Sequence, residues 1–291
     1  MKIDRRSLLA AAVAAPAALM TGRSVPAFAA AGDAATDRAA SGTRTPAQAH
    51  AEFVANAPDG MQMQGDEQIN MLLYPGFTAL DFVGPQFMFA LMMGAKVHLV
   101  SARADLAPVM SDSGIAITPT ITMADAHVKP TVLFVPGGSA GTVDAMNNKD
   151  VLNFVAQQAA AATYTTSVCT GAMVLAAAGV LKGRRATTHW SVLDLLSEFG
   201  ATPLNQRVVV DDHIVTGAGV TAGLDMAITL VALLRGKGYA QAAMLQSEYA
   251  PQPPFPGGTV ETTPPEITRV LTDTNGSLRT GMHAVAVRLR S

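Results

Sequence analysis

The chain holds a single cysteine and a single tryptophan, and only 14% of its 291 residues are charged. One cysteine excludes an intramolecular disulfide, so stability must come from packing. No H-E-x-x-H or C-x-x-C pattern occurs, and the six histidines (His50, His98, His127, His189, His213 and His283) are scattered, so a dedicated metal site has no support. Aromatics make up 5% of the chain while Ala, Val and Met are plentiful, which points to an aliphatic core. A formal net charge of −2 gives no electrostatic ground for nucleic acid or an anionic membrane surface as partner. What is present is a hydrophobic fraction of 49%, enough for one sizeable core.

The first residues have the character of a leader. MKIDRRSLLAAAVAAPAALM combines a basic start with an apolar run over residues 8–20. That run is too short for a membrane span of about 20 residues, so no stable membrane anchor is expected. Arg5 and Arg6 followed by Ser-Leu-Leu resemble a twin-arginine export signal, with cleavage read near Ala27, Phe28 and Ala29. An ordinary secretory leader is the other reading. Residues 1–29 are therefore expected to be removed on export to the periplasm or the exterior, and residues 30–66 to form a linker.

From residue 67 short apolar strands alternate with longer helical patterns. QINMLLY, KVHLVSA, TVLFVP and TYTTSV read as strands, RATTH as another, and RVVVDD with HIVTGAG as a hairpin. FVGPQFMFALMMGA, KDVLNFVAQQAAAA, TGAMVLAAAG and LDMAITLVALLRGK have helical length and spacing. Apolar strands interleaved with helices predict a parallel sheet covered on both faces. The folded domain is expected over residues 67–262, with 263–291 an extension that adds a short helix or stays loose. GAGVTAG at 217–223 lacks the glycine spacing and lysine of a phosphate loop and reads as a tight turn.

The cysteine itself stands in YTTSVCTGAMVLAAAG. A free thiol in an oxidising compartment risks mispairing and over-oxidation, so its retention asks for a function. Cys169 falls at the carboxyl end of a strand, where sites gather in open parallel sheets. Ser167 two residues before and Gly171 two after give the small-x-nucleophile-x-small pattern of a strand-to-helix nucleophile elbow. The N–H groups and dipole of the following helix are expected to favour thiolate. For a proton partner, His189 after RATT and Asp81 in TALDFVGP both qualify; a packed histidine and a helix-capping aspartate are the bland alternatives.

Taken together, LLYPGFTALDFVGP, VLFVPGG, YTTSVCTGAMVLAAAGVLKGRRATTHW, VVVDDHIVTGAGVTAGLDMA and LQSEYAPQPPF resemble the ThiJ/PfpI superfamily, and within it the isonitrile-hydrating members. The likeness runs from about residue 68 to 255. It implies a flavodoxin-like, class I glutamine amidotransferase-like α/β fold, a doubly wound parallel sheet with a nucleophile elbow. It further implies Cys169 as nucleophile, Asp81 as its acidic partner, Thr170 with its hydroxyl and N–H beside the sulfur, and Gly138 as a backbone donor to the same pocket. A homodimer acting on a small-molecule substrate without a cofactor is implied as well. The leader departs from this pattern, since the resemblance is to cytoplasmic enzymes.

A carboxylate beside a thiolate costs electrostatic energy, so the two groups are expected to share one proton. That arrangement suits addition of a thiolate to an isonitrile carbon with proton delivery by Asp81. Two rival functions use the same scaffold: a cysteine hydrolase or glyoxalase-type enzyme with His189 as partner, and a non-catalytic sensor whose cysteine is oxidised.

Overall fold

The computed structural model describes residues 44–57 and 60–290. The leader over residues 1–29 and the linker up to residue 43 lie outside the described residues. The chain divides into units 1–48 and 49–291. Of the first unit, residues 44–48 are described and open helix α1 (Pro46–Ala55).

The second unit carries the strands β1 (Gln68–Leu73), β2 (Lys96–Ser101), β3 (Val109–Met110), β4 (Ala116–Ile117), β5 (Ile121–Thr122) and β6 (Val132–Val135). They are followed by β7 (Tyr164–Val168), β8 (Arg185–Ala186), β9 (Thr202–Pro203), β10 (Val208–Asp211) and β11 (Ile214–Gly217). Its helices are α2 (Ala79–Ala90), α3 (Ala140–Asn147), α4 (Lys149–Ala161), α5 (Gly171–Ala177), α6 (Ala222–Arg235), α7 (Lys237–Gln246), α8 (Pro265–Thr274) and α9 (Gly276–Arg290), with a 3-10 helix over Trp190–Phe199. Seven strands form one sheet in the order β10-β11-β7-β6-β1-β2-β5, parallel throughout except for the β10–β11 pair.

The central parallel strands are buried because both faces are covered, and most of their residues are apolar, with Asn70 in β1 and Thr165, Thr166 and Ser167 in β7 as buried polar exceptions. Ile69 to Leu73 and Val132 to Val135 are buried at every position. Phe82 and Phe89 of α2 meet Phe134 of β6 edge-on, at centroid distances of 6.4 and 6.2 Å. From β1 the chain goes outward to β2, whereas β6 and β7 extend the sheet on the other side of β1. That reversal marks the carboxyl ends of β1 and β6 as the switch point at which open α/β sheets place their sites. The expected doubly wound parallel sheet is the fold observed.

Three local features differ from expectation. RATTH supplies only the two-residue β8, which pairs with β9 apart from the main sheet. The C-terminal residues form two helices rather than a short or loose one. In α9 Met282, Val285 and Ala286 are buried, an i, i+3, i+4 stripe that anchors the helix on the body. Finally, residues 62–67 are held against the end of α6. The Gln62 N–H donates to the Arg235 carbonyl at 2.9 Å, and buried Arg235 pairs through two nitrogens with Glu67.

Candidate active site

Four segments at the carboxyl ends of β1, β6, β7 and β11 meet around Cys169. The cysteine adopts φ +55°, the strained left-handed conformation that a nucleophile elbow demands of a non-glycine residue. The strain persists because neighbours fix both ends of the residue. Its N–H donates to the carbonyls of Gly217 (3.1 Å) and Ala218 (2.7 Å), and its own carbonyl accepts from Thr188 Oγ1 at 2.7 Å. Gly171 explains the small residue two positions on. A Cβ there would lie 2.2 Å from the Val135 carbonyl oxygen and 2.6 Å from that of Pro136.

Asp81 reaches the same point from α2, in whose first turn it stands. It does not cap that helix: Thr78 is the N-cap residue and makes no side-chain cap bond. Instead Asp81 Oδ2 accepts the Gly137 N–H at 3.0 Å, fully buried. Pro85, four residues later in α2, removes the N–H that would ordinarily bond the Asp81 carbonyl. Oδ1 has no partner in a formed hydrogen bond. The Cys169 thiol acts on the carboxylate electrostatically and as a looser hydrogen-bonding neighbour.

Burial lifts the Asp81 carboxyl to about 7, against the opposing pull of the Gly137 N–H and the thiol. Burial also pushes the Cys169 thiol well up, and the negative charge of Asp81 adds to it. The backbone N–H groups of Thr170 and Val220 act in the other direction, favouring the anion. Of the two ways of sharing one proton, desolvation favours the thiol beside a carboxylate over the thiolate that the helix N–H groups favour. The pair rests as a thiol beside a carboxyl group that titrates near neutrality, and one proton is shared in the singly protonated form.

Thr170 and Gly138 bond to each other beside the elbow. The Thr170 N–H faces the sulfur, and its hydroxyl enters a buried polar network. Thr170 Oγ1 accepts the Gly138 N–H at 2.9 Å and lies 2.8 Å from both the Gly138 carbonyl oxygen and Thr142 Oγ1. Tyr74 completes this buried network, donating to the Pro136 carbonyl at 2.8 Å with Thr142 Oγ1 3.1 Å away. The Gly138 N–H, which the resemblance implied as a pocket donor, bonds Thr170 Oγ1 in this structure. The donors that remain for charge at the sulfur are the N–H groups of Thr170 and Val220.

Val220 and Gly137 are the two contributors that residue reading did not find. Val220 belongs to GAGVTAG, whose glycines had marked a tight turn. Gly137 is the hub of the site: a Cβ on it would fall 2.6 Å from the Thr170 nitrogen, 2.7 Å from Thr170 Oγ1 and 2.8 Å from Asp81 Oδ2. The doubled glycine of VLFVPGG was the available signal.

His189 stands at the start of the 3-10 helix with Nδ1 2.8 Å from Ser191 Oγ. Burial lowers its pKa, so the ring is neutral. It packs on Gly219, where a Cβ would lie 3.0 Å from its Cδ2. His213 and His283 pair with Asp212 and Glu198, and His98 with Gln68. Among the described residues no three His, Cys, Asp or Glu side chains converge to hold a metal, and no helix is long and apolar enough to cross a membrane.

A cysteine on a strained turn between a parallel strand and a helix, facing a buried carboxyl group, defines an α/β protein of the nucleophile-elbow class. Residues 67–233 match the model of the DJ-1/PfpI family, and the chain belongs to that family. It is 48% identical over 197 residues to isonitrile hydratase of Pseudomonas putida, an alignment covering 68% of this chain and 85% of that enzyme. It is 26% identical over 141 residues to the glutathione-independent glyoxalase DJR-1.2 of Caenorhabditis elegans, covering 48% and 75% respectively. The crystal structure of a ThiJ/PfpI family protein from Pseudomonas syringae superposes with a TM-score of 0.77 at 44% identity, over 86% of this chain and 98% of that one.

Proposed function

We propose that the protein adds water to an isonitrile, giving an N-substituted formamide by way of a covalent adduct on Cys169. The observation that carries this is the buried thiol–carboxyl pair, with Asp81 titrating near neutrality beside a cysteine held at the elbow. The 48% identity to an isonitrile hydratase supports the same chemistry.

An isonitrile carbon accepts a nucleophile and becomes basic as it does so. Asp81 takes the Sγ proton, sulfur forms a bond to the terminal carbon, and the proton passes from Asp81 to that carbon. The product of this stage is an N-substituted thioimidate. Water then attacks the same carbon, giving one proton to Asp81, which passes it to the substrate nitrogen. The C–S bond breaks as the hydroxyl proton of the adduct passes by way of Asp81 to the departing sulfur, and the formamide leaves with the thiol restored. The Thr170 and Val220 N–H groups steady negative charge on sulfur at both ends of the cycle, an effect of about 3 kcal/mol for a well-aimed donor. The sequence is redox-neutral and every proton moves through a group of this chain, so no cofactor is invoked.

We further infer a homodimer and export by the leader. Leu80, Val83 and Phe87 form an apolar stripe on α2, each more than 40% exposed, and a second copy is the partner that would cover it. Sedimentation of the mature chain tests the first inference, and fractionation of cells producing the full chain tests the second.

The deciding assay follows formamide formation from an aryl isonitrile by the purified protein. Turnover that disappears in Cys169→Ala supports hydration. Absence of turnover in the parent protein, or its survival in the variant, refutes it.

A further inference from the structure

The helix α9 lies beyond the 67–233 region matched by the family model, yet it touches three elements that begin at the site. It packs on α3, α5 and the 3-10 helix Trp190–Phe199. The first starts after Gly138, the second after Cys169 and Thr170, the third after His189. Gly281 brings α9 against α3, where a Cβ would meet Val143 Cγ1 at 3.1 Å.

One side chain of α9 grips the 3-10 helix that starts after His189. Arg279 places Nη1 and Nη2 on the two carboxylate oxygens of Asp194, each at 2.7 Å, and Nη1 also donates to the Ser191 carbonyl. The guanidinium holds the Asp194 carboxyl below its usual range. A planar fork that binds a carboxylate and a carbonyl together fixes orientation as well as distance. What it orients is the turn that flanks Cys169. Ser191 Oγ bonds the His189 ring, Thr188 Oγ1 bonds the Cys169 carbonyl, and the ring rests on Gly219, the neighbour of Val220.

We propose that Arg279 is a positioning residue for the thiol centre. By fixing Ser191 and Asp194 it sets the turn of Thr188 and His189, and through it both the Val220 amide facing the sulfur and the wall along which a substrate approaches. The part concerning substrate rests on the hydratase reading; the part concerning the sulfur does not. Other contacts keep α9 docked without Arg279: His283 and Arg290 pair with Glu198, and Arg288 donates to the Met146 carbonyl. A half-exposed ion pair also contributes little to global stability. Loss of Arg279 should therefore disturb the site and leave the fold.

The test compares Arg279→Ala, Arg279→Lys and the control Glu198→Ala, which weakens the α9 contact without touching the Ser191 turn. Because Cys169 is the only thiol, its alkylation rate with iodoacetamide reports the centre directly. Circular dichroism and thermal melting verify folding, and steady-state isonitrile hydration separates KM from kcat. Arg279→Ala should change the alkylation rate severalfold and raise KM about tenfold with a smaller change in kcat. Arg279→Lys should recover part of both effects, and Glu198→Ala should leave both at the parent values. Parent-like alkylation and KM in Arg279→Ala overturn the proposal, as do equal effects in Glu198→Ala. If the parent turns over no isonitrile, the hydratase reading fails and the alkylation rates alone decide this one.

Discussion

The Gly137 N–H donates to Oδ2 of Asp81 at 3.0 Å, and this bond holds the carboxyl group in the buried space beside the Cys169 thiol. It stabilises the ionised form, but not enough to offset desolvation, so Asp81 titrates near 7. That balance would poise Asp81 for proton transfer at neutral pH under the proposed mechanism.

The active form under this mechanism carries one proton on the pair. Below about 7 the pair holds two, because Asp81 is protonated and Cys169 is a thiol. Accordingly kcat/KM for isonitrile hydration should rise with pH and level off above a midpoint near 7. Asp81→Asn should lower kcat by roughly 10²–10⁴-fold and abolish that limb. A variant that keeps parent-like turnover, or the same pH profile, removes Asp81 from the chemistry.

The same titration must appear in folding. The native pKa of Asp81 lies above the ordinary 3.8, so the native state binds more protons between those values. Its contribution to stability is full below about pH 4 and is lost as pH rises through 7, on the order of 4 kcal/mol at most. Urea midpoints measured against pH should fall across this window more steeply for the parent than for Asp81→Asn. Parallel curves contradict the raised pKa.

Gly137→Ala introduces a methyl group within 2.8 Å of the Thr170 nitrogen, Thr170 Oγ1 and Asp81 Oδ2. Overpacking of this kind costs about 1–3 kcal/mol, and here it separates the groups that must react. Thermal melting should show a modest loss while hydration is nearly abolished. Full activity in a folded variant means that the three groups need not converge.

His189→Ala separates hydration from hydrolase or glyoxalase chemistry. The ring is neutral and hydrogen-bonds Ser191, and the hydration route assigns it no proton transfer, so that route predicts kcat within about fivefold of the parent, with any larger effect confined to KM. A loss of kcat by orders of magnitude, together with conversion of α-oxoaldehydes by the parent, favours the second route.

Glu67→Ala leaves the buried Arg235 guanidinium without its carboxylate. Breaking one side of a buried pair costs about 3–5 kcal/mol. Denaturant unfolding should report that loss, and limited proteolysis should begin within residues 60–67. An unchanged midpoint shows that Arg235 finds other partners.

Much of the sheet was legible in the sequence because both faces of its central strands are covered, leaving an uninterrupted apolar run in VLFV and a run broken only by Asn70 in INMLL. The elbow was legible from Ser167, Cys169 and Gly171, since tight approach of backbone to backbone tolerates only small side chains at the flanks. Short elements were not. β3, β4, β5, β8 and β9 have two residues each, too few for any period to show. The stripe of Met282, Val285 and Ala286 was present in the C-terminal sequence, but nothing near it in the chain indicated what it would cover.

The residue order by itself determined a parallel α/β fold and a cysteine at a strand-to-helix turn, because periodicity and steric demand are local properties of a chain. Tertiary structure alone decided which protons and donors serve that cysteine. It brought Asp81 in from another strand connection, diverted the Gly138 N–H to Thr170, turned the Val220 N–H toward the sulfur, and buried thiol and carboxyl group together. Desolvation and hydrogen-bond competition depend on what surrounds a group in space, and the groups that supply those surroundings here lie far apart in the chain, 32 positions for Gly138 and Thr170 and 56 for Asp81 and Gly137.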